Sequence, residues 1–202
     1  MRNKHIGDSL DLAKRRLLEI AGSLNLGTLI APLPCQRDFQ FDLYERVLGV
    51  EAPHLVHGRN TVRFSGRNRS QHLNDLDAAV QKGAYMVVLL DPDSGLSEDR
   101  QGDSRYLSPV EVRHLVDGRL LTWLLYHHQS AGRLSYDDVI GLLGAAGAYN
   151  FGKAAVVVGG QGEQTVRFID AISDSLNPNR WISPMGAAGA NPGLVADVWR
   201  HR

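Results

Sequence analysis

Residues 85–95, with the sequence YMVVLLDPDSG, decide the predicted fold class. The segment from Tyr85 to Leu90 is an uninterrupted apolar run, which is typical of a strand in a sheet covered on both faces. It leads directly into Asp91-Pro92-Asp93-Ser94-Gly95, whose residue types favour a turn. We therefore interpret the rest of the chain around a buried strand that ends in two carboxylates.

Helical and strand patterns alternate on both sides of this segment. Predicted helices cover 10–24, 39–48, 73–82, a segment opened by Ser108-Pro109-Val110-Glu111, and 136–143, and predicted strands cover 28–33, 85–90 and 120–126. Asp8 or Ser9 can cap the first helix, and Ser108-Pro109-Val110-Glu111 supplies an N-cap, a proline at the first helical position and an acidic first turn. The alternation predicts a mostly parallel sheet with helices on both faces.

A glycine-rich segment, Gly159-Gly160-Gln161-Gly162, separates two further apolar runs at 154–158 and 164–169. We interpret these runs as two strands joined by a hairpin, because the residues after Gly162 follow a strand pattern and not a helical one.

The predicted fold class is α/β, with a Rossmann-like, mostly parallel sheet and a C-terminal antiparallel hairpin. Residues 1–182 are expected to form a single domain, and 183–202 an irregular tail.

The composition is that of an ordinary globular domain. The chain has 202 residues, and its 22 basic and 22 acidic side chains give a formal net charge of zero. The single cysteine, Cys35, excludes an intrachain disulfide and a cysteine-based metal cluster. The N-terminus lacks an apolar signal core, and the apolar runs are too short to cross a bilayer. We expect a cytoplasmic protein with no membrane partner.

Ionisable residues follow two of the predicted strands. Asp91 and Asp93 follow one strand, and His127 with His128 follows another. In such sheets ligands sit beyond the carboxyl ends of strands. A carboxylate pair held by Pro92 can bind Mg²⁺ or Mn²⁺, orient an amino group or accept a proton, and a histidine can act as a base or a metal ligand. The alternatives are a turn in which Asp91 caps amides, and a structural histidine.

The first helix brings a second set of charges. Asp11 and Lys14 are three residues apart and share one helical face, while Asp8 lies at the helix start, where negative charge is favoured. These residues either line a cleft or form a helix cap with a surface ion pair.

The stretch from 52 to 74 has no acidic residue. Its Arg59, Arg63, Arg67 and Arg69 can contact phosphates while Phe64 stacks on a base, which would make the Arg59–His72 segment a nucleic-acid-binding element. The alternative is a solvated basic loop.

Several motifs occur in an order that resembles a known group. Gly7-Asp8, Asp11 and Lys14 match G-D-x-x-D-x-x-K, and they precede Asp91-Pro92-Asp93-Ser94-Gly95, Arg105-Tyr106 and Tyr126-His127-His128. Over residues 4–130 this order resembles a group of uncharacterised bacterial proteins with D-P-D-N-G, K-Y or R-Y, and Y-x-H motifs.

More distantly, the chain is similar to bacterial ribosomal RNA adenine-N6 methyltransferases, which begin H-x-G-N-x-x-D-x-x-K-H and carry D-P-P-Y. That resemblance implies that Asp91 binds the target amino group and that Gly7, Asp8 and Asp11 lie at the S-adenosylmethionine site. It also implies that the terminal hairpin corresponds to the antiparallel last strands of the methyltransferase sheet. In two places the chain departs from the pattern: no aromatic residue follows Pro92, and no glycine-rich loop follows the strand at 28–33.

Three functions follow from these patterns. The first is a nucleic-acid- or nucleotide-directed enzyme on a methyltransferase-like scaffold, with Asp91 orienting the reacting group. The second is a Mg²⁺- or Mn²⁺-dependent nuclease or phosphohydrolase, with Asp8, Asp91 and Asp93 as ligands and His127 or Lys14 assisting the attack of water. The third is a non-catalytic binding protein on a degenerate methyltransferase fold.

Overall fold

The computed structural model describes residues 6–34, 38–49, 68–83, 85–98, 103, 105–128, 134–152 and 154–183. In chain order its elements are α1 (Ser9–Ser23), β1 (Thr28–Leu33), α2 (Phe41–Leu48), α3 (Arg69–Lys82), β2 (Val87–Pro92), β3 (Gly95–Leu96), β4 (Tyr106–Leu107), α4 (Pro109–Val116), β5 (Thr122–His128), α5 (Tyr136–Leu143), β6 (Gly147–Asn150), β7 (Ala154–Gly160), α6 (Glu163–Ser175) and β8 (Trp181–Ile182).

Six of these strands form one mixed sheet with the order β1-β2-β5-β7-β6-β8. Strands β1, β2 and β5 are parallel neighbours, whereas β7 is antiparallel to both β5 and β6, and β8 is antiparallel to β6. Four of the six strands therefore run in the same direction. The predicted α/β class with a mostly parallel sheet is confirmed at this level.

Helices cover both faces of the sheet, as predicted. Along β2, Val88 and Leu90 pack into a core with α3, α4 and α5, while Val87 and Leu89 pack into a second core with α1, α2 and α6. Successive strand residues point to opposite faces, so an apolar run without polar interruption is what a doubly covered strand requires.

The local helix signals were also correct. Asp8 caps α1 by accepting hydrogen bonds from the amides of Leu10 and Asp11, and Ser108 is the N-cap of α4, where it forms a capping box with Glu111. Helix α3 begins at Arg69, four residues before its predicted start, because its buried stripe already includes Arg69 and His72.

The predicted C-terminal hairpin is wrong in its second half. Residues 163–175 form helix α6, whose buried Thr165, Val166, Phe168, Ile169 and Ile172 recur at helical spacing. The antiparallel hairpin of the structure is β6–β7, which lies one strand earlier. The glycine-rich segment is therefore followed by a helix and not by the predicted strand. The glycines reflect close packing, because a Cβ atom at Gly159 would collide with the Trp123 ring.

The predicted tail at 183–202 lies outside the described residues except for Ser183. Among the helices that the structure describes, none combines the length and the apolar character that crossing a bilayer requires.

A buried charge cluster at the carboxyl end of β2

Asp91 lies next to the last residue of β2 and is completely buried, with 0% of its surface exposed. It is paired in register with Pro32 of β1, so it occupies the interior of the sheet and not its edge. Alternation along β2 places Asp91 on the same face as Val87 and Leu89, towards α1, α2 and α6. The end of a central parallel strand is where an α/β sheet can present a residue to a ligand.

Lys14 of α1 connects this strand end to the first helix. Its Nζ atom lies 2.8 Å from Asp91 Oδ2 and 3.0 Å from Asp11 Oδ1, and the lysine is only 4% exposed. Asp11 and Lys14 therefore do not form the surface ion pair of the alternative interpretation. The structure brings together three of the predicted site residues in one buried cluster.

Tyr44 of α2 completes the contacts of the carboxylate. Its hydroxyl donates a hydrogen bond to the same oxygen, Asp91 Oδ2, and its side chain is fully buried. The other oxygen, Asp91 Oδ1, is also buried, and no group of the described residues donates a hydrogen bond to it. A buried acceptor without a donor costs about 1–3 kcal/mol, so this oxygen is the position where a ligand N–H would be favoured.

The cluster holds more carboxyl groups than ammonium groups. Two carboxylates, Asp11 and Asp91, share the single ammonium group of Lys14. Burial raises the pKa of Asp91 above its ordinary value, an effect that Lys14 and Tyr44 only partly offset. Burial alone would lower the pKa of Lys14, but Asp91 and Asp11 raise it above its ordinary value, so the lysine stays charged. A donor or a cation is therefore attracted to this cluster.

The polar groups at the start of α1 bind one another. Asp8 accepts from the amides of Leu10 and Asp11, and the Gly7 amide donates to Asp11 Oδ2 at 2.9 Å. We predicted that Gly7, Asp8 and Asp11 bind S-adenosylmethionine. In the structure their carboxylates and amide complete the helix cap and hold Lys14, so S-adenosylmethionine binding by these three residues stays a prediction.

Tyr126 of β5 lies beside Asp91, although it was not among the predicted site residues. The parallel pairing of β2 and β5 continues through Leu90 and Leu125, so Asp91 and Tyr126 are the next residues on neighbouring strands. Lys14 Nζ lies 4.4 Å from the centre of the Tyr126 ring, a cation–π contact. Burial raises the pKa of the Tyr126 hydroxyl, and the Asp91, Asp8 and Asp93 carboxylates add to the rise, whereas Lys14 opposes it.

Asp93 lies beyond the end of β2 and is half-buried. Lys14 pairs with Asp11 and Asp91 but forms no ion pair with Asp93. The two carboxylates that flank Pro92 therefore have different environments, one inside the cluster and one at its border.

His127 lies on the opposite face of the sheet from Asp91. Its neighbours in the strand pattern, Trp123 and Leu125, belong to the core with α3, α4 and α5. The His127 Nδ1 atom accepts a hydrogen bond from the Leu96 amide at 3.1 Å, and Nε2 lies 3.0 Å from the Leu134 carbonyl oxygen. These partners require a neutral ring with the proton on Nε2. His127 thus has the structural role of our alternative interpretation and not a catalytic one.

The donor set does not fit the predicted Mg²⁺ or Mn²⁺ site. Within the described ranges, no three Asp, Glu, His or Cys side chains converge as metal ligands. Asp8 is used as a helix cap, and the Lys14 ammonium already lies between Asp11 and Asp91. We therefore derive no step through a metal.

The basic segment is described only at its end. Arg59, Arg63 and Arg67 lie outside the described residues. Arg69 is buried and pairs with Glu111 while donating to the carbonyls of Asp103 and Tyr106. It holds the start of α4 against the preceding loop, so the prediction of a phosphate-binding Arg69 is wrong.

No protein-family model, curated protein or solved structure matches this chain.

Sequence reasoning missed Tyr44 and Tyr126. Tyr126 has the same strand parity as the buried Leu124, and Tyr44 lies at helical spacing from Phe41 and Leu48. These signals predict burial, but only the packing of α1 and α2 on β2 shows that both tyrosines meet Asp91.

Proposed function

We propose that this protein is an enzyme that acts on an amino group of a nucleotide or nucleic-acid base, with Asp91 orienting that group. One observation carries the proposal: Asp91 Oδ1 is buried near the carboxyl end of an interior parallel strand, and no described residue donates a hydrogen bond to it. An exocyclic amino group would supply the missing donor.

The neighbouring residues fix the carboxylate for this role. Lys14 and Tyr44 both bind Oδ2, so rotation of the carboxylate would break two buried hydrogen bonds. Oδ1 is therefore held in one direction before the ligand arrives, which lowers the cost of ordering the site. A hydrogen bond from the amino N–H to Oδ1 aligns the nitrogen and increases its electron density.

The scaffold supports the same proposal. The resemblance to adenine-N6 methyltransferases implies an acidic residue after a central strand, and antiparallel strands at the end of the sheet. Asp91 supplies the acidic residue as the penultimate residue of β2, and β5, β7 and β6 form successive antiparallel pairs. We infer a methyltransferase-like, Rossmann-like scaffold from this combination.

The test compares ligands that differ only in the amino group. Fluorescence anisotropy would measure the binding of short single-stranded RNA and DNA with a central adenine or a central hypoxanthine, whose carbonyl replaces the amino group. We expect the wild type to prefer adenine by about 10–100-fold, the value of one hydrogen bond to a charged group. Transfer of a labelled methyl group from S-adenosylmethionine to the same strands would test the reaction that the resemblance implies.

Two variants complete the design. Asp91→Asn keeps the shape of the side chain but presents an amide, so the preference for adenine should disappear. Asp137→Asn, on an exposed position of α5, is the matched control and should behave as wild type. The proposal is refuted if the wild type binds neither strand, or binds both equally well. Because this comparison changes the ligand, it remains decisive even if Asp91→Asn does not fold.

A further inference from the structure

The hydroxyl of Tyr126 is the second group of the cluster that forms no hydrogen bond with any residue that the structure describes. Tyr126 makes a cation–π contact with Lys14 through the face of its ring. A phenol hydroxyl in a largely buried side chain usually finds a hydrogen-bond partner. The side chain is 8% exposed, more than Asp11, Lys14, Asp91 or Tyr44, so it forms the outermost part of the cluster.

The two unsatisfied groups lie side by side. Asp91 and Tyr126 follow the last paired residues of two adjacent parallel strands and point to the same face of the sheet. Lys14 contacts both, through Asp91 Oδ2 and through the face of the Tyr126 ring. This contact holds the tyrosine ring at a fixed position relative to the carboxylate.

Their chemistry is complementary. Asp91 Oδ1 can only accept a hydrogen bond while it is ionised, whereas the Tyr126 hydroxyl can donate one. Because burial and the nearby carboxylates raise its pKa, the hydroxyl keeps its proton at neutral pH. The site therefore offers one acceptor and, beside it, one donor.

We propose that Tyr126 is a specificity-determining residue that donates a hydrogen bond to the ring nitrogen next to the amino group bound by Asp91. The ligand edge that fits this pair is an amino group adjacent to an unprotonated ring nitrogen, as in adenine and cytosine. Uracil and hypoxanthine present a carbonyl and a ring N–H at these positions and are disfavoured. This inference rests on the proposed function, because it specifies the base that the same site accepts.

The test is a double-mutant cycle between protein and ligand. Binding of strands with a central adenine, 1-deazaadenine or 7-deazaadenine would be measured with the wild type and with Tyr126→Phe. Both deaza bases keep the amino group: 1-deazaadenine replaces the ring nitrogen next to it by CH, whereas 7-deazaadenine replaces a nitrogen of the other ring and is the ligand control. We expect 1-deazaadenine to bind the wild type about 3–10-fold more weakly than adenine and to show no such loss with Tyr126→Phe, whereas 7-deazaadenine should bind both proteins as adenine does.

Tyr149→Phe is the matched control. Tyr149 lies on β6 on the same face of the sheet, but its hydroxyl bonds to the Asn177 carbonyl at 2.9 Å, away from the cluster. This variant should retain the wild-type loss for the deaza base.

The outcomes separate the two proposals. If adenine is preferred over hypoxanthine but the 1-deazaadenine loss persists in Tyr126→Phe, the role of Tyr126 is refuted and the role of Asp91 stands. Equal binding of adenine and 1-deazaadenine by the wild type also refutes the role of Tyr126. If the wild type binds none of the strands, the proposed function fails, and this inference fails with it.

Discussion

Replacement of Lys14 by methionine tests whether the cluster is the buried, coupled unit that the structure describes. Lys14→Met preserves the length of the side chain and the helix propensity of α1, but it removes the cation that pairs with both Asp11 and Asp91. Both carboxylates then remain buried without their shared counterion. Breaking a buried ion pair by removal of one partner costs about 3–5 kcal/mol.

The assay is urea unfolding followed by circular dichroism at neutral pH. With a slope of about 2 kcal/mol per molar urea, a cost of about 4 kcal/mol lowers the midpoint by about 2 M. Adding Asp91→Asn to Lys14→Met removes one of the two uncompensated charges and should restore about 1–3 kcal/mol. Arg167→Met, which removes an exposed cation from α6, should change stability by less than about 0.5 kcal/mol.

The pH dependence has a defined sign. The folded-state pKa of Asp91 is raised, so its contribution to stability is fully present below its unfolded-state pKa and is lost as pH rises through the folded-state value. Removal of Lys14 raises that pKa further, so the defect of Lys14→Met should be largest at neutral pH and should shrink on acidification. A neutral-pH cost below about 1 kcal/mol, or no recovery in the double variant, would contradict a buried charge cluster.

Three other substitutions test further parts of the structure by the same unfolding assay. Gly95→Ala should destabilise by about 2–5 kcal/mol, because Gly95 has a φ of +99° and a Cβ atom there would lie 2.5 Å from His127 Nδ1; wild-type stability would contradict this contact. Glu111→Gln should cost about 1 kcal/mol, a value reduced for partial exposure. Burial acts to raise the pKa of Glu111, but Arg69 and Ser108 lower it below its ordinary value. The loss of stability in Glu111→Gln should therefore be present above the unfolded-state pKa of Glu111 and vanish as pH falls through the lower folded-state pKa. A loss of stability that does not depend on pH would refute the ion pair. Phe168→Ala should cost about 3–5 kcal/mol if 163–175 is a helix packed on the sheet, and a cost under 1 kcal/mol would contradict that packing.

Much of the fold could be predicted because its signals are local. Strand β1 matches its predicted bounds, and α1 and α4 begin at the residues that their capping chemistry indicates. Such signals depend on hydrogen bonds between residues two to four positions apart, so tertiary structure does not alter them.

The prediction of α6 failed for a physical reason. The residues from 164 to 169 are too few to distinguish a strand from the first turns of a helix, since both bury Val166 and Phe168. The next buried residue, Ile172, is the one that requires helical spacing. Residues 163–175 would have been predicted correctly from a longer window.

The candidate site could be predicted only in part. Capping chemistry and the end of an apolar strand pointed to Asp11, Lys14 and Asp91, but their contact depends on α1 packing over β2 across 77 positions of sequence. Which of His127 and Tyr126 faces Asp91 depends on the face of β5 that meets α1. Strand alternation shows that the two residues face apart, but not which of them faces Asp91.

The numbers of carboxyl and ammonium groups in the cluster help to decide whether its role is only structural. A purely structural pair would match one carboxylate to one ammonium, and similar pairs can often be replaced by apolar residues without loss of stability. Here a second buried carboxylate adds a desolvation cost that Lys14 does not fully offset, and one oxygen of Asp91 has no donor among the described residues. An arrangement that lowers stability in this way is typical of a site whose geometry is set for a ligand. The buried Asp91 oxygen without a donor among the described residues is therefore the property that favours an amino group at Asp91 over a purely structural role.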